Sequence, residues 1–175
     1  MGYSGAMVPE YEQILEKSRE RGALIKRQMK YLGKFRIKNF DHIVAEFHEA
    51  AFARIDCLDC GNCCRMLGPI IGESEITRLV KTVGLDRTEF VRDGLIRDKE
   101  GFWRCSKLPC PFMGEGNACS IYDEKPRDCA AYPYTDERNM ARSLGRLAFN
   151  AEICPAAYLV AEMIIERFAP GETKN

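Results

Sequence analysis

The sequence predicts a mainly α fold: one α-rich domain around a loop-rich cysteine site, with a small β-hairpin. Three observations predict it. Apolar residues recur at helical spacing over 41–55, 73–83 and 155–168. Residues 95–105 read as a short hairpin, Leu95 to Asp98 and Phe102 to Cys105 flanking a turn at Lys99-Glu100-Gly101. Between Cys105 and Tyr134 lie four cysteines and four prolines, a composition for irregular loops.

Taken in chain order, Pro9 to about Lys34 is charged, with Tyr11, Ile14, Leu15, Ile25, Met29 and Leu32 forming an incomplete apolar stripe that Gly22 interrupts. It reads as one or two peripheral helices, and the chain is divided into an N-terminal helical segment, 1–40, and a cysteine-cluster domain, 41–170. Asp41 is placed to cap a helix over 41–55 that turns Val44, Phe47, Ala51 and Ile55 to one face. His42 and His48 lie on different faces of that helix and read as surface or satisfied side chains. The helix 73–83 carries Ile76, Leu79, Val80 and Val83 and stops at Gly84. Asp86 and Glu89 open a short helix to about Asp93. Trp103, the single tryptophan, reads as a packing residue. Pro126 suits the first turn of a short helix bearing Cys129. Leu144 to Phe149 reads as a short strand. Pro155 starts a last helix with Tyr158, Leu159, Met163, Ile164 and Phe168 for burial, ended by Pro170 and Gly171.

Composition excludes several classes of function. With 26 basic and 26 acidic residues, the chain has no electrostatic footprint for nucleic acid or an anionic lipid surface. No run approaches the roughly 18–20 apolar residues of a membrane span. Met1 to Glu20 has no apolar core of a signal peptide, and Ala6 stands where a myristoylation signal wants Ser or Thr. A cytoplasmic protein is expected. There, nine cysteines imply metal or redox chemistry in preference to a disulfide frame.

Cys57, Cys60, Cys63 and Cys64 fall within eight residues, Cys-Leu-Asp-Cys-Gly-Asn-Cys-Cys. A two-residue gap lets a turn aim successive thiolates at one centre, and Gly61 and Asn62 tolerate the backbone that such a turn demands. Cys64 directly follows Cys63, so its side chain diverges toward a second site or another side of the same one. One centre takes about four protein ligands, so the remainder come from Cys110, Cys119, Cys129 and Cys154. The eight thiolates fit two four-cysteine sites, or one cluster plus a second metal. Cys105 is left as a spare or neighbouring thiol. Thiolates bring negative charge, and Arg65, Arg104, Lys107, Lys125 and Arg127 lie near cysteines in the sequence to offset it.

Together with Cys-Pro-Phe-Met (Cys110 to Met113), Cys-Ser-Ile-Tyr (Cys119 to Tyr122), Lys-Pro-Arg-Asp-Cys (Lys125 to Cys129) and Tyr-Pro-Tyr (Tyr132 to Tyr134), these residues resemble the CxxCxxCC cysteine-cluster family. It is also called the YkgJ-type zinc- or iron-chelating domain, and it includes flagellin lysine N-methylases. The resemblance runs from about Cys57 to Cys154. Lys125 stands where the family often has Arg, and Ala130 where it often has a second basic residue. The resemblance implies metal binding; the methylases are much longer and use an iron–sulfur cluster with S-adenosylmethionine.

The expected cofactor is an iron–sulfur cluster or zinc. The spacing of Cys57, Cys60 and Cys63 repeats a ferredoxin run and favours the cluster, although no cysteine followed by proline completes that pattern. Three functional classes follow: a redox or metal-handling protein, a cluster-dependent protein lysine methyltransferase, and a structural zinc module that binds a protein partner. No glycine-rich nucleotide loop and no Ser-His-Asp signature is present.

Overall fold

The computed structural model describes residues 6–169. The expected helix stop at Pro170 and Gly171 lies outside them. The described chain is mainly α with one small antiparallel sheet, and it gathers into two compact units. A helical unit comprises Met7–Cys60 and the chain from Pro133 onward; a smaller unit spans Gly61–Tyr132.

In the helical unit, four long helices supply the core: α1 (Pro9–Leu32), α2 (Phe40–Phe52), α8 (Met140–Asn150) and α9 (Pro155–Phe168). A one-turn helix α3 (Cys57–Cys60) follows α2. Helix α9 packs on α1, α2 and α8. Its Ala156, Ala157 and Ala161 are wholly buried, and such short side chains let neighbouring backbones approach closely. Ile25 and Met29 of α1, Val44 of α2, Leu144 and Leu147 of α8, and Val160 and Ile164 of α9 fill the space between them. Burying each such side chain contributes on the order of 2 kcal/mol.

Helix α1 is continuous through Gly22, whose missing side chain leaves room for the Glu152 carboxylate. Asn39, in the left-handed region, occupies the N-cap of α2 where Asp41 is expected from the sequence. The Asp41 carboxylate accepts instead from the main-chain N–H groups of Asn139 (2.7 Å) and Met140 (2.9 Å), at the start of α8. The expected strand at 144–149 is part of α8. A six-residue window is too short to reveal the spacing of Met140, Leu144, Leu147 and Ala151, which are all buried on one helical face.

In the smaller unit, β1 (Ile70–Ile71), β2 (Leu95–Arg97) and β3 (Trp103–Cys105) form a sheet of order β1-β3-β2. Leu95 pairs with Cys105 and Arg97 with Trp103, the expected hairpin, to which β1 adds a third strand. Asp98 closes its turn, Oδ1 accepting from Glu100 N (3.1 Å) and Phe102 N (2.8 Å), with Gly101 at φ 85°. Helix α5 (Glu73–Val83) ends at Gly84 in the left-handed region, and α6 (Arg87–Gly94) is capped by Asp86, as their sequences predict. Ile71, Ile76, Leu79, Phe90 and Leu95 form the core of this unit, joined by Cys105 and Cys110. Trp103 packs at its edge, donating through Nε1 to Glu73 Oε1 (2.8 Å).

The cap on α8 is testable. Asp41→Ala removes both carboxylate bonds and is expected to lower unfolding stability by about 1 kcal/mol, read by denaturant titration.

Candidate metal centre

All nine cysteines are free thiols, so no S–S bridge takes up any of them. In the smaller unit, α4 (Asn62–Met66) carries Cys63 and Cys64, the loop after β3 carries Cys110, a bridge pairs Met113 with Cys119, and α7 (Arg127–Ala131) carries Cys129.

Local hydrogen bonds explain how these segments are held. Cys110 N donates to Cys64 O at 2.7 Å, joining two cysteine segments through the main chain. Gly61 begins α4 at φ +59°, with Asn117 and Met113 packed where a Cβ would stand. The Arg65 guanidinium donates to Asn117 Oδ1, and Asn117 is itself buried and in the left-handed region. Two carboxylates anchor α7: Glu75 Oε1 accepts from Arg127 N (2.8 Å), and Asp128 Oδ2 accepts from Ile70 N (2.8 Å). Glu75 also closes the first turn of α5, its Oε2 accepting from Gly72 N at 2.7 Å.

Electrostatics links four of the thiols. Every pair among Cys64, Cys110, Cys119 and Cys129 interacts repulsively when ionised. The Cys63 thiol, donating to Cys64, lowers the Cys64 pKa against the effect of burial, with help from Arg65. Donation from the Cys105 thiol brings Cys110 down to about 7, and the N–H groups of Phe112 and Met113 act in the same direction. Cys105 is correspondingly raised well above the ordinary thiol range. Burial raises Cys119, opposed by the Ile121 amide and by Lys125. Cys129 is exposed as a residue, yet atoms packed around its sulfur, followed by the Cys64 and Cys110 thiols, push it up to about 12.

The helical unit holds a second group. Cys57 and Cys60 lie on α3, and Cys154 is the N-cap of α9. Burial pushes Cys154 up to about 12, and Cys60 and Cys57 add to the rise. The main-chain N–H groups of Ala157 and Ala156 act in the opposite direction.

Electrostatic influence thus links Cys64, Cys110, Cys119 and Cys129 with one another, Cys63 with Cys64, and Cys57 and Cys60 with Cys154. Cys105 bonds Cys110. Among the described residues, no three His, Cys, Asp or Glu side chains stand at the spacing of a closed metal-ligand set. Neither histidine joins the thiols: His48 Nδ1 lies 2.7 Å from the buried Thr135 hydroxyl, and His42 lies beside Glu46. Of the five cations singled out by sequence, Arg65 and Lys125 act on cysteines, whereas Arg104 is bound to Asp98 at 2.7 Å. Sequence reasoning missed Glu75, Asn117 and Asp128. Only Asp128 carries a signal, as the residue preceding Cys129.

Cysteine thiolates as ligands suit zinc and iron–sulfur clusters and do not suit the hard cations magnesium and calcium. The class is that of a metal-chelating protein. The chain belongs to the CxxCxxCC family, described as “Putative zinc- or iron-chelating domain”, whose model matches residues 56–155. No curated protein and no solved structure matches the chain.

Gly61→Ala tests the turn before α4. Its Cβ would fall 2.7 Å from Asn117 Oδ1 at a φ of +59°, so a loss of about 2 kcal/mol or more is expected by thermal unfolding.

Proposed function

We propose that this protein binds an iron–sulfur cluster through Cys64, Cys110, Cys119 and Cys129 and works in redox or metal-handling chemistry, with Cys57, Cys60 and Cys154 serving a second centre. One observation carries the reading: the thiolates of four cysteines from four separate segments oppose one another pairwise, so all four ionise together only with a cation among them. When bound, the metal supplies the positive charge that lets all four ionise together and, as a cluster, an electron-accepting group.

The residues around the thiols fit that task. Main-chain N–H groups favour the ionised forms of Cys110, Cys119 and Cys154, and hydrogen bonds to sulfur are one of the means by which a protein sets a cluster's potential. A four-thiolate zinc or an oxidised four-iron cluster carries a net charge of about −2, which Arg65 and Lys125 offset. Nine free thiols suit a reducing compartment, and we place the protein in the cytoplasm. No helix among the described residues is long and apolar enough to cross a membrane. Zinc is the second reading, favoured because Cys64, Cys110, Cys119 and Cys129 number four, what a closed tetrahedral ion takes.

Protein purified without air is expected to be coloured, with iron and acid-labile sulfide in stoichiometric amounts. Colourless protein with stoichiometric zinc and no iron would replace the cluster with the second reading, and protein without bound metal would refute both. Cys64→Ser and Cys129→Ser are each expected to reduce metal content and melting temperature together.

Stability should depend on pH in opposite ways with and without metal. In the metal-free protein, folding raises Cys129 and Cys154 from 9.0 to about 12. Their contribution is therefore fully present below pH 9 and is lost as pH rises toward 12. Metal binding displaces protons from thiols, so metal affinity should rise with pH. Melting curves of both forms between pH 9 and 10.5, above the range where the lowered Cys110 and Cys64 titrate, check this: the metal-free melting temperature should fall while the metal-bound one holds or rises.

A further inference from the structure

Helix α1 lies outside the matched segment 56–155, yet two of its polar side chains are buried and reach toward cysteine-bearing backbone. Tyr11 is 5% exposed. Its hydroxyl donates to Arg54 O at 3.0 Å and accepts from Asp56 N at 2.9 Å, so it grips the chain on both sides of Ile55, just before Cys57. Val8 N, at the start of the same helix, donates to Asp59 O at 3.1 Å, between Cys57 and Cys60. Seven residues after Tyr11, and so on the same helical face, the buried Ser18 hydroxyl donates to Ala151 O at 2.7 Å. Ala151 lies three residues before Cys154.

We propose that Tyr11 and Ser18 are positioning residues, a two-point brace by which α1 holds the Cys57–Cys60 turn and the approach to Cys154 in binding geometry. The inference rests on the metal-binding reading above and assigns the N-terminal helix to it. A helix serving only as hydrophobic cover would need no buried hydroxyls aimed at main chain. Both bonds end within a few residues of a thiol, where a shift of a few tenths of an ångström changes how sulfurs meet an ion. Supporting contacts of this kind commonly change metal affinity by about 10–100-fold.

The test uses the full chain as Tyr11→Phe, Ser18→Ala and the double variant. Ile25→Val is the control, removing one methylene from the buried face of α1 without touching the brace. Iodoacetamide labelling of the metal-loaded proteins, read cysteine by cysteine by peptide mass, should show Cys57, Cys60 and Cys154 labelled about tenfold faster in the brace variants. Labelling of Cys64, Cys110, Cys119 and Cys129 should match that of the unaltered protein, and Ile25→Val should change neither group. Unchanged labelling in Tyr11→Phe, or an equal increase in Ile25→Val, overturns the brace. Equal labelling of the unaltered protein with and without metal sinks the metal reading instead. Hydrogen exchange at residues 56–60 of the metal-free protein then decides the brace, which predicts faster exchange in Tyr11→Phe and is overturned by equal rates.

Discussion

The organising constraint is the repulsion among thiolates gathered from separate segments. Thiols are small and weakly polar, and one buried alone behaves as a modest hydrophobe. Four that interact in every pairwise combination cannot all ionise unless a cation lies among them. The smaller unit shows how a chain tolerates such a group. Cys63 and Cys105 donate to the sulfurs of Cys64 and Cys110 and lower their pKa values, Arg65 supports charge at Cys64, and Lys125 and the Ile121 amide support it at Cys119.

That constraint accounts for the hydrogen bonding around the cysteines. Loops rich in proline and cysteine make few repetitive main-chain bonds, so each turn needs its own partner. Glu75 joins α5 to α7, Asp128 joins α7 to β1, and Cys110 N reaches Cys64 O. These bonds tie the cysteine segments to a sheet and a helix that have ordinary hydrophobic reasons to exist.

The helical unit works differently. Its core is built from long helices with ordinary apolar packing, which Cys60 joins, and the thiols are attached at helix ends: Cys57 and Cys60 in the turn after α2, Cys154 at the N-cap of α9. Amides at a helix N-terminus have no intrahelical partner, and this is why those of Ala156 and Ala157 favour the ionised Cys154.

The sequence alone determined what local patterns encode. Helices at 73–83 and 155–168 were legible because apolar periodicity and a boundary residue, Gly84 or Pro155, agree there. The hairpin was legible from its turn, and the metal chemistry from four cysteines in eight residues. Only the tertiary structure decided the rest. It turned the segment at 144–149 from an expected strand into part of α8, because burial on one helical face outweighs a short ambiguous window. It sent the Asp41 carboxylate to cap α8 in place of its own helix. It also decided which sulfurs influence one another, since Cys64 acts on Cys129 across sixty-four intervening residues, and no spacing rule reaches across that distance.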